Sequence, residues 1–166
     1  MELFPRPDRI TSMGEIRVKT KLENNVDIQR KLESKGKRGK VRAVELEAIV
    51  DTGAVMTLLP QEVVDALGLR IIGNATAQLA NDQRISLPVA SGLMMTVAGR
   101  QTGMDCLVGP VGCEPLIGQL VMEALDLIAD PGRRTLTVRP ESPLRPTLKL
   151  KLSARVDFAD NSAGRP

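Results

Sequence analysis

Apolar and polar residues alternate along much of the chain, with the two-residue period of strands that bury one face. The first such run starts near Gly14, where Ile16 and Val18 alternate with Arg17 and Lys19. Similar runs recur as far as residue 138 and are separated by turn-forming residues. We therefore predict about eight or nine short strands.

Two segments carry the signals of a helix. Residues 61–67 lie between Pro60 and Gly68, which are favoured at the start and just past the end of a helix. Residues 119–125 place several apolar side chains on one side of a second helix. The polar stretch 23–40 is predicted to be a long hairpin loop that contains a helical turn near residues 28–32. Together these elements predict an all-β fold of barrel or sandwich type with two short helices.

The chain of 166 residues has the length of about one domain. Residues 1–12 contain two prolines and are predicted to be a flexible N-terminal tail. Residues 13–139 hold all the predicted strands and helices and form the predicted domain. Residues 140–166 combine four prolines with many charges and are predicted to be a basic C-terminal tail.

Composition excludes several kinds of site. There is no histidine, so the chain has no Ser-His-Asp or Cys-His triad and no zinc site with histidine ligands. The chain has two cysteines, Cys106 and Cys113, which are too few for a cysteine-rich metal site. We expect two reduced thiols, and a disulfide bond between them is the alternative. The only aromatic residues, Phe4 and Phe158, argue against the stacking of nucleic-acid bases. We expect no metal, no cofactor and no nucleic-acid partner.

Hydropathy and the pattern of the first residues favour a cytoplasmic protein without a membrane partner. The net charge of +3 is mild, and no window approaches 18 consecutive apolar residues. The first residues include acids and prolines but no apolar run, which is unlike a signal peptide. The basic cluster at residues 35–42 is expected to be a solvated loop, with a docking or nucleic-acid patch as the alternative.

The segment Ile49-Val50-Asp51-Thr52-Gly53-Ala54 carries the strongest chemical signal. An apolar strand delivers one carboxylate, and the glycine lets the backbone pass close to that carboxylate or to a ligand. Asp-Thr-Gly by itself is also a common turn sequence, so its context decides its meaning. Gln101-Thr102-Gly103 has the same ending without the acid, and we expect it to be a hairpin turn.

Residues 14–138 resemble the retropepsin-like aspartic proteases, above all the short bacterial single-domain members. The Ile49–Ala54 segment resembles their active-site loop. Leu116, Ile117 and Gly118, after an apolar strand, resemble the motif that supports this loop from behind. The predicted helix 119–125 and the strand after it resemble the end of the family's domain.

The resemblance implies a homodimeric peptidase with a closed β-barrel or sandwich fold. Asp51 of each copy would meet on a two-fold axis, since one chain supplies a single such acid. Two carboxylates held close together cannot both ionise easily, so the pair shares one proton and activates a water. Thr52 would bond the partner's loop, and Gly53 and Ala54 would complete the loop that contacts an extended polypeptide substrate. No covalent intermediate is needed, so the absence of histidine is no obstacle.

The residues Ala80, Asn81, Asp82, Gln83 and Arg84 form a polar hairpin tip, which the resemblance identifies as the flap that closes on substrate. A plain surface hairpin is the alternative.

Two positions depart from the retroviral pattern. Val55 stands where an acid is common, and Gln119 stands where an arginine is common. The flap also lacks a glycine-rich tip. These departures leave a second hypothesis open, a binding or assembly module that keeps the fold and cleaves weakly or not at all.

Overall fold

The computed structural model describes residues 14–35, 39–78 and 82–147. The predicted N-terminal tail lies outside these residues, as do residues 148–166 of the predicted C-terminal tail. The predicted domain boundaries at residues 13 and 139 stay a prediction.

The described residues form nine strands and three helices. In chain order they are β1 (Ile16–Asn24), α1 (Asn25–Glu33), β2 (Ala43–Val50), β3 (Leu58–Pro60), α2 (Gln61–Leu67), β4 (Arg70–Gln78), β5 (Arg84–Val97), β6 (Arg100–Gly109), β7 (Leu116–Ile117), α3 (Gln119–Ala124), β8 (Leu127–Asp130) and β9 (Thr135–Val138). None of these helices, in the part of the chain described, is long and apolar enough to cross a membrane.

Seven strands form one sheet in the order β1-β2-β7-β3-β6-β5-β4. β1 also pairs with β5, so six of the strands close into a ring and β4 extends from β5. β2 with β7 and β3 with β6 are parallel pairs, and the other pairs are antiparallel. A separate hairpin of β8 and β9 follows α3. The mainly β fold predicted from the sequence pattern is confirmed.

β5 is a single strand of 14 residues, although the sequence pattern predicted only short strands. β5 runs without a break through Gly92, which has a positive φ of 88°, and its register against β6 shifts between Ala90 and Leu93. Such an irregularity bends a strand without ending it. The bend lets one end of β5 pair with β4 while the other pairs with β1.

The prediction of two helices was wrong, because the polar stretch after β1 contains a third helix, α1. Asn24 caps it: its side-chain oxygen accepts a hydrogen bond from the backbone N–H of Asp27 at 3.1 Å. The Asp27 carboxylate in turn accepts from the guanidinium of Arg42 at 2.7 and 2.9 Å, and the pKa of Asp27 falls to about 2. α1 buries no residue, and only three of its nine residues, Val26, Ile28 and Leu32, are apolar, so its helical signal in the sequence is weak.

The core consists of aliphatic side chains and methionine. Leu22, Leu67, Leu93, Met95 and Ile117 are all completely buried. They come from β1, α2, β5 and β7, so the core joins the ring to the helix that packs on it.

Asp126 and Arg100 bind the chain that follows β9. The Asp126 carboxylate accepts hydrogen bonds from the Ser142 hydroxyl, from Arg139 Nε at 2.7 Å and from the backbone N–H of Thr147 at 3.2 Å. The buried Arg100 guanidinium donates to the backbone oxygens of Leu125, Asp126 and Ser142. Residues 139–147 are therefore bound to the end of α3.

We expect Leu22→Ala to lower the free energy of unfolding by about 2–5 kcal/mol, because it leaves a cavity at a fully buried position. Leu32→Ala is the matched control, since Leu32 is 67% exposed, and its effect is expected to stay within about 0.5 kcal/mol. Urea unfolding followed by circular dichroism measures both. Equal effects at the two positions would contradict the described core.

Acid unfolding tests the role of Asp126. Hydrogen bonds from Ser142 and Arg139 lower its pKa from 3.8 to about 2. A carboxyl group whose pKa is lower in the folded than in the unfolded protein stabilises the fold at pH values above its unfolded pKa. This stabilisation disappears as the pH falls through about 2.

We therefore expect Asp126→Asn to be less stable than wild type above about pH 4, with a difference that shrinks as the pH approaches 2. Urea unfolding at a series of pH values measures this, and Asp105→Asn, at an exposed position of β6, is the control. A difference independent of pH would show that the ionised carboxylate is not what matters.

Candidate active site

β2 delivers Asp51 to the surface at one end of the ring. Ile49 and Val50 pair in parallel with Leu116 and Ile117 of β7. The hydrogen bonds continue past the end of β2, since the N–H of Asp51 donates to the backbone oxygen of Ile117 at 3.0 Å. The structure thus brings the predicted active-site segment and the predicted supporting segment side by side.

A tight turn then orients the Asp51 carboxylate. The N–H of Gly53 donates to Asp51 Oδ1 at 2.9 Å, and the N–H of Ala54 donates to the Asp51 backbone oxygen at 3.3 Å. A β-carbon at position 53 would lie 3.3 Å from Asp51 Oδ1, so glycine leaves room for the carboxylate. Asp51, Thr52 and Gly53 are all exposed, and the carboxylate is accessible to water.

The start of α3 closes the loop from the other side. The N–H of Gln119 donates to the Ala54 backbone oxygen at 2.7 Å, and the N–H of Leu120 donates to the Val55 backbone oxygen at 3.1 Å. Gly118 makes this approach feasible, because a β-carbon there would lie 2.6 Å from the backbone carbon and oxygen of Met56. These contacts of Gln119 and Leu120 were not predicted from the sequence, since they join backbone atoms of distant segments.

A cavity of about 690 Å³ adjoins the loop. Thr52 lines it together with Gln119, Met122 and Glu123 of α3 and with β8. This cavity was not predicted from the sequence, because its walls come from separate parts of the chain.

The predicted flap lies at the tip of the β4–β5 hairpin. Ala80 and Asn81 lie outside the described residues. Asp82, Gln83 and Arg84 are exposed; Asp82 has a positive φ of 61° and accepts a hydrogen bond from the side-chain amide of Gln78 at 3.0 Å. The two arms pair over eight positions, from Gln78 opposite Arg84 to Arg70 opposite Ser91.

Other candidate groups do not form a catalytic site. Gln101-Thr102-Gly103 was expected to be a hairpin turn and instead lies inside β6, paired with β5. Both cysteines are free thiols. Burial, with a contribution from Asp105, raises the pKa of Cys106 to about 12. Burial and the nearby charge of Glu62 raise the pKa of Cys113. Neither is therefore an activated nucleophile. Among the residues described, no three acidic or cysteine side chains are grouped as a metal site requires.

Comparison with known families gives the class of the protein. The sequence profile of a family described as aspartyl protease matches residues 37–123. This match spans more than half of the chain and contains both Asp51 and the Leu116–Gly118 segment. The chain belongs to the aspartyl protease family. A search of curated proteins found no match.

We expect Gly118→Ala to lower the free energy of unfolding by about 1–3 kcal/mol, because the added methyl group collides with backbone atoms of the loop, which cannot rotate away. Gly73→Ala in β4 is the control, since nothing lies within 4 Å of a β-carbon there. Urea unfolding measures both variants. A Gly118→Ala protein as stable as the control would contradict the close approach of α3 to the loop.

Proposed function

We propose that this chain is an aspartic endopeptidase that works as a homodimer and hydrolyses peptide bonds of polypeptides. The observation that carries the proposal is the exposed Asp51 carboxylate, with one oxygen fixed by the Gly53 N–H, at the end of a strand supported by β7. Membership of the aspartyl protease family supports the same chemistry.

The reaction requires a second carboxylate, and each chain has one active-site loop. A two-fold symmetric dimer supplies it by placing Asp51 of the partner beside Asp51 of the first copy. One proton is then shared by the pair, because two adjacent negative charges are unfavourable. The apparent pKa values belong to the pair as a unit.

In the proposed mechanism the ionised carboxylate takes a proton from a water molecule. The resulting oxygen nucleophile attacks the carbon of the scissile peptide bond while the protonated carboxyl group gives its proton to the carbonyl oxygen. The carboxyl group that now holds a proton gives it to the leaving nitrogen, while the other carboxylate takes a proton from one hydroxyl of the tetrahedral intermediate. The carbon–nitrogen bond breaks, and a new acid and a new amine are released. The pair is left with one proton, as at the start.

The neighbouring residues have supporting roles in this proposal. Thr52 hydrogen-bonds to the partner's loop, Gly53 contacts the backbone of a substrate held in extended form, and Ala54 completes the active-site loop. Leu116, Ile117 and Gly118 keep the loop in place. The β4–β5 hairpin acts as the flap. We further propose that the protein is cytoplasmic and needs no cofactor.

A binding or assembly module is the second candidate. It is favoured by Gln119, whose side-chain amide donates to Glu123 of its own helix at 3.0 Å, at a position where an arginine is common in the retroviral members.

We expect Asp51→Asn to lower the rate of peptide cleavage by more than about 100-fold, because the amide of asparagine cannot take the proton of the attacking water. The assay is cleavage of an unstructured peptide library between about pH 4 and pH 8, read by mass spectrometry. Asp105→Asn is the control, since it removes an exposed carboxylate from β6 without touching the loop.

Equal cleavage by wild type and Asp51→Asn would refute the catalytic assignment. No cleavage by either protein, with both folded and dimeric, would favour the binding module.

A further inference from the structure

The positive charge of the chain is concentrated in α1 and in the residues that lead from α1 to β2. Residues 25–42 hold seven of the chain's 23 lysines and arginines but only two of its 20 acids. The remaining residues hold 16 basic and 18 acidic side chains, so the net positive charge comes from this one segment. The aspartyl protease profile begins at residue 37, so α1 lies outside the match to the family.

Most of these charges are not neutralised within the described part of the chain. The name basic face is used for four exposed side chains, those of Arg30, Lys31, Lys35 and Lys40. The three lysines form no ion pair among the residues described. Asp27 is neutralised by Arg42, with a smaller contribution from Arg30. Glu33 is the one other acid of residues 25–42, so the basic face keeps an excess of positive charge.

The backbone that carries the basic face is fixed to the ring. The side-chain amide of Asn24, the cap of α1, donates to the backbone oxygens of Leu67 and Gly68 at 2.9 and 3.2 Å. The N–H of Asn24 donates to the backbone oxygen of Arg42 at 3.0 Å, which joins the two ends of the segment. α1 buries no residue, so it supplies a surface and not core packing. A charged surface on a fixed backbone is preorganised for a ligand of opposite charge.

Exposed apolar side chains accompany these charges. Leu32 is 67% exposed and lies next to Lys31 in the last turn of α1, and Val26 is 47% exposed in the first turn. Val26 also lies against β5, since a β-carbon at Gly92 would be 3.8 Å from Val26 Cγ2. A ligand that combines negative charge with apolar side chains is therefore complementary to this surface.

We propose that the basic face binds an acidic segment of the polypeptide substrate, outside the site of cleavage. This binding site rests on the proposed peptidase function and adds a substrate class to it, namely polypeptides with clustered aspartate and glutamate. Carboxylates supply the charge that the lysines lack, and the apolar residues between them contact Leu32 and Val26.

The fold also sets the distance between this segment and the cleaved bond. β1 begins beside the active-site loop, with Ile16 opposite Val50, and ends at Asn24, where α1 starts. Because a strand rises about 3.3 Å per residue, α1 starts about 20 Å or more from Asp51. An extended substrate of the same rise needs about six residues or more to span this distance.

Two other anionic partners are less complementary to the basic face. Residues 14–147 contain no aromatic side chain, and proteins bind single-stranded nucleic acid with aromatic rings that stack on the bases. A helix that lies on a membrane buries a broad apolar face in the lipid, whereas α1 exposes two large apolar side chains.

The first test measures binding without cleavage, on the full chain carrying Asp51→Asn. The probe is a fluorescein-labelled peptide of about 12 residues, built from glutamate and leucine, and fluorescence anisotropy gives its dissociation constant. Adding Lys31→Glu, Lys35→Glu and Lys40→Glu together is expected to raise this constant by about 10-fold or more. A rise from about 0.05 to 0.5 M NaCl is expected to raise the constant of the unsubstituted face by a similar factor.

The matched control carries Arg133→Glu, Arg134→Glu and Arg145→Glu, which change three exposed arginines and shift the net charge equally. It is expected to keep the dissociation constant within about twofold. Circular dichroism checks the fold of each protein. Lys35→Glu with Lys40→Glu is the second variant, since both positions lie outside α1, and about a fivefold rise is expected.

The second test measures cleavage by the wild-type active site. Two peptides differ in one segment, about eight residues from the cleaved bond, that contains either glutamate or glutamine. We expect about a 10-fold lower KM for the glutamate peptide at a similar kcat, because a remote contact is equally strong in the ground and transition states. In the variant with three lysines replaced, the two KM values are expected to become equal.

Equal binding of the acidic peptide by the parent and by the folded lysine variants, or an equal loss in the arginine control, would overturn the basic face and leave the proposed peptidase intact. Lysine-dependent binding in a wild-type protein that cleaves neither peptide would instead overturn the peptidase and keep the docking site. Tighter lysine-dependent binding of a single-stranded DNA, or of phosphatidylserine vesicles, would overturn the proposal and assign the face to that ligand.

Discussion

Backbone hydrogen bonds between the proposed active-site loop, residues 51–55, and residues 117–120 hold the proposed site together. Asp51 bonds to Ile117, Ala54 to Gln119, and Val55 to Leu120. These segments come from opposite halves of the chain, so the loop has its shape only when the ring of strands is closed. Gly118 is the constraint on which this arrangement depends, because any side chain there would enter the backbone at Met56.

The same hydrogen bonds also place the cavity beside the loop. The start of α3 fixes the loop from which Asp51 projects, and Gln119 of α3 lines the cavity together with Thr52. In our proposal each chain supplies one active-site carboxylate, so activity depends on a second copy that brings its own Asp51 beside the first.

Much of the fold was predictable from local pattern. The two-residue period indicated most of the strands, though not the two-residue strand β7, and Pro60 with Gly68 located α2 at residues 61–67, as observed. α3 was predicted one residue too long at its end. Two elements were not predicted correctly. α1 is stabilised by its Asn24 cap and by the Asp27–Arg42 ion pair. The long strand β5 depends on its pairing with three other strands. Neither effect leaves a period in the sequence.

The sequence by itself determined which residues we propose for the chemistry. It predicted Asp51 as the acid and Thr52 and Gly53 as its turn, because a carboxylate followed by a glycine after an apolar strand is a local feature. The resemblance to the retropepsin-like proteases added Leu116–Gly118 as the support. Only the tertiary structure decided where the cavity lies, which apolar residues stay exposed, and that residues 139–147 are bound to Asp126. These properties depend on which distant backbones meet, and such contacts are fixed by closure of the ring.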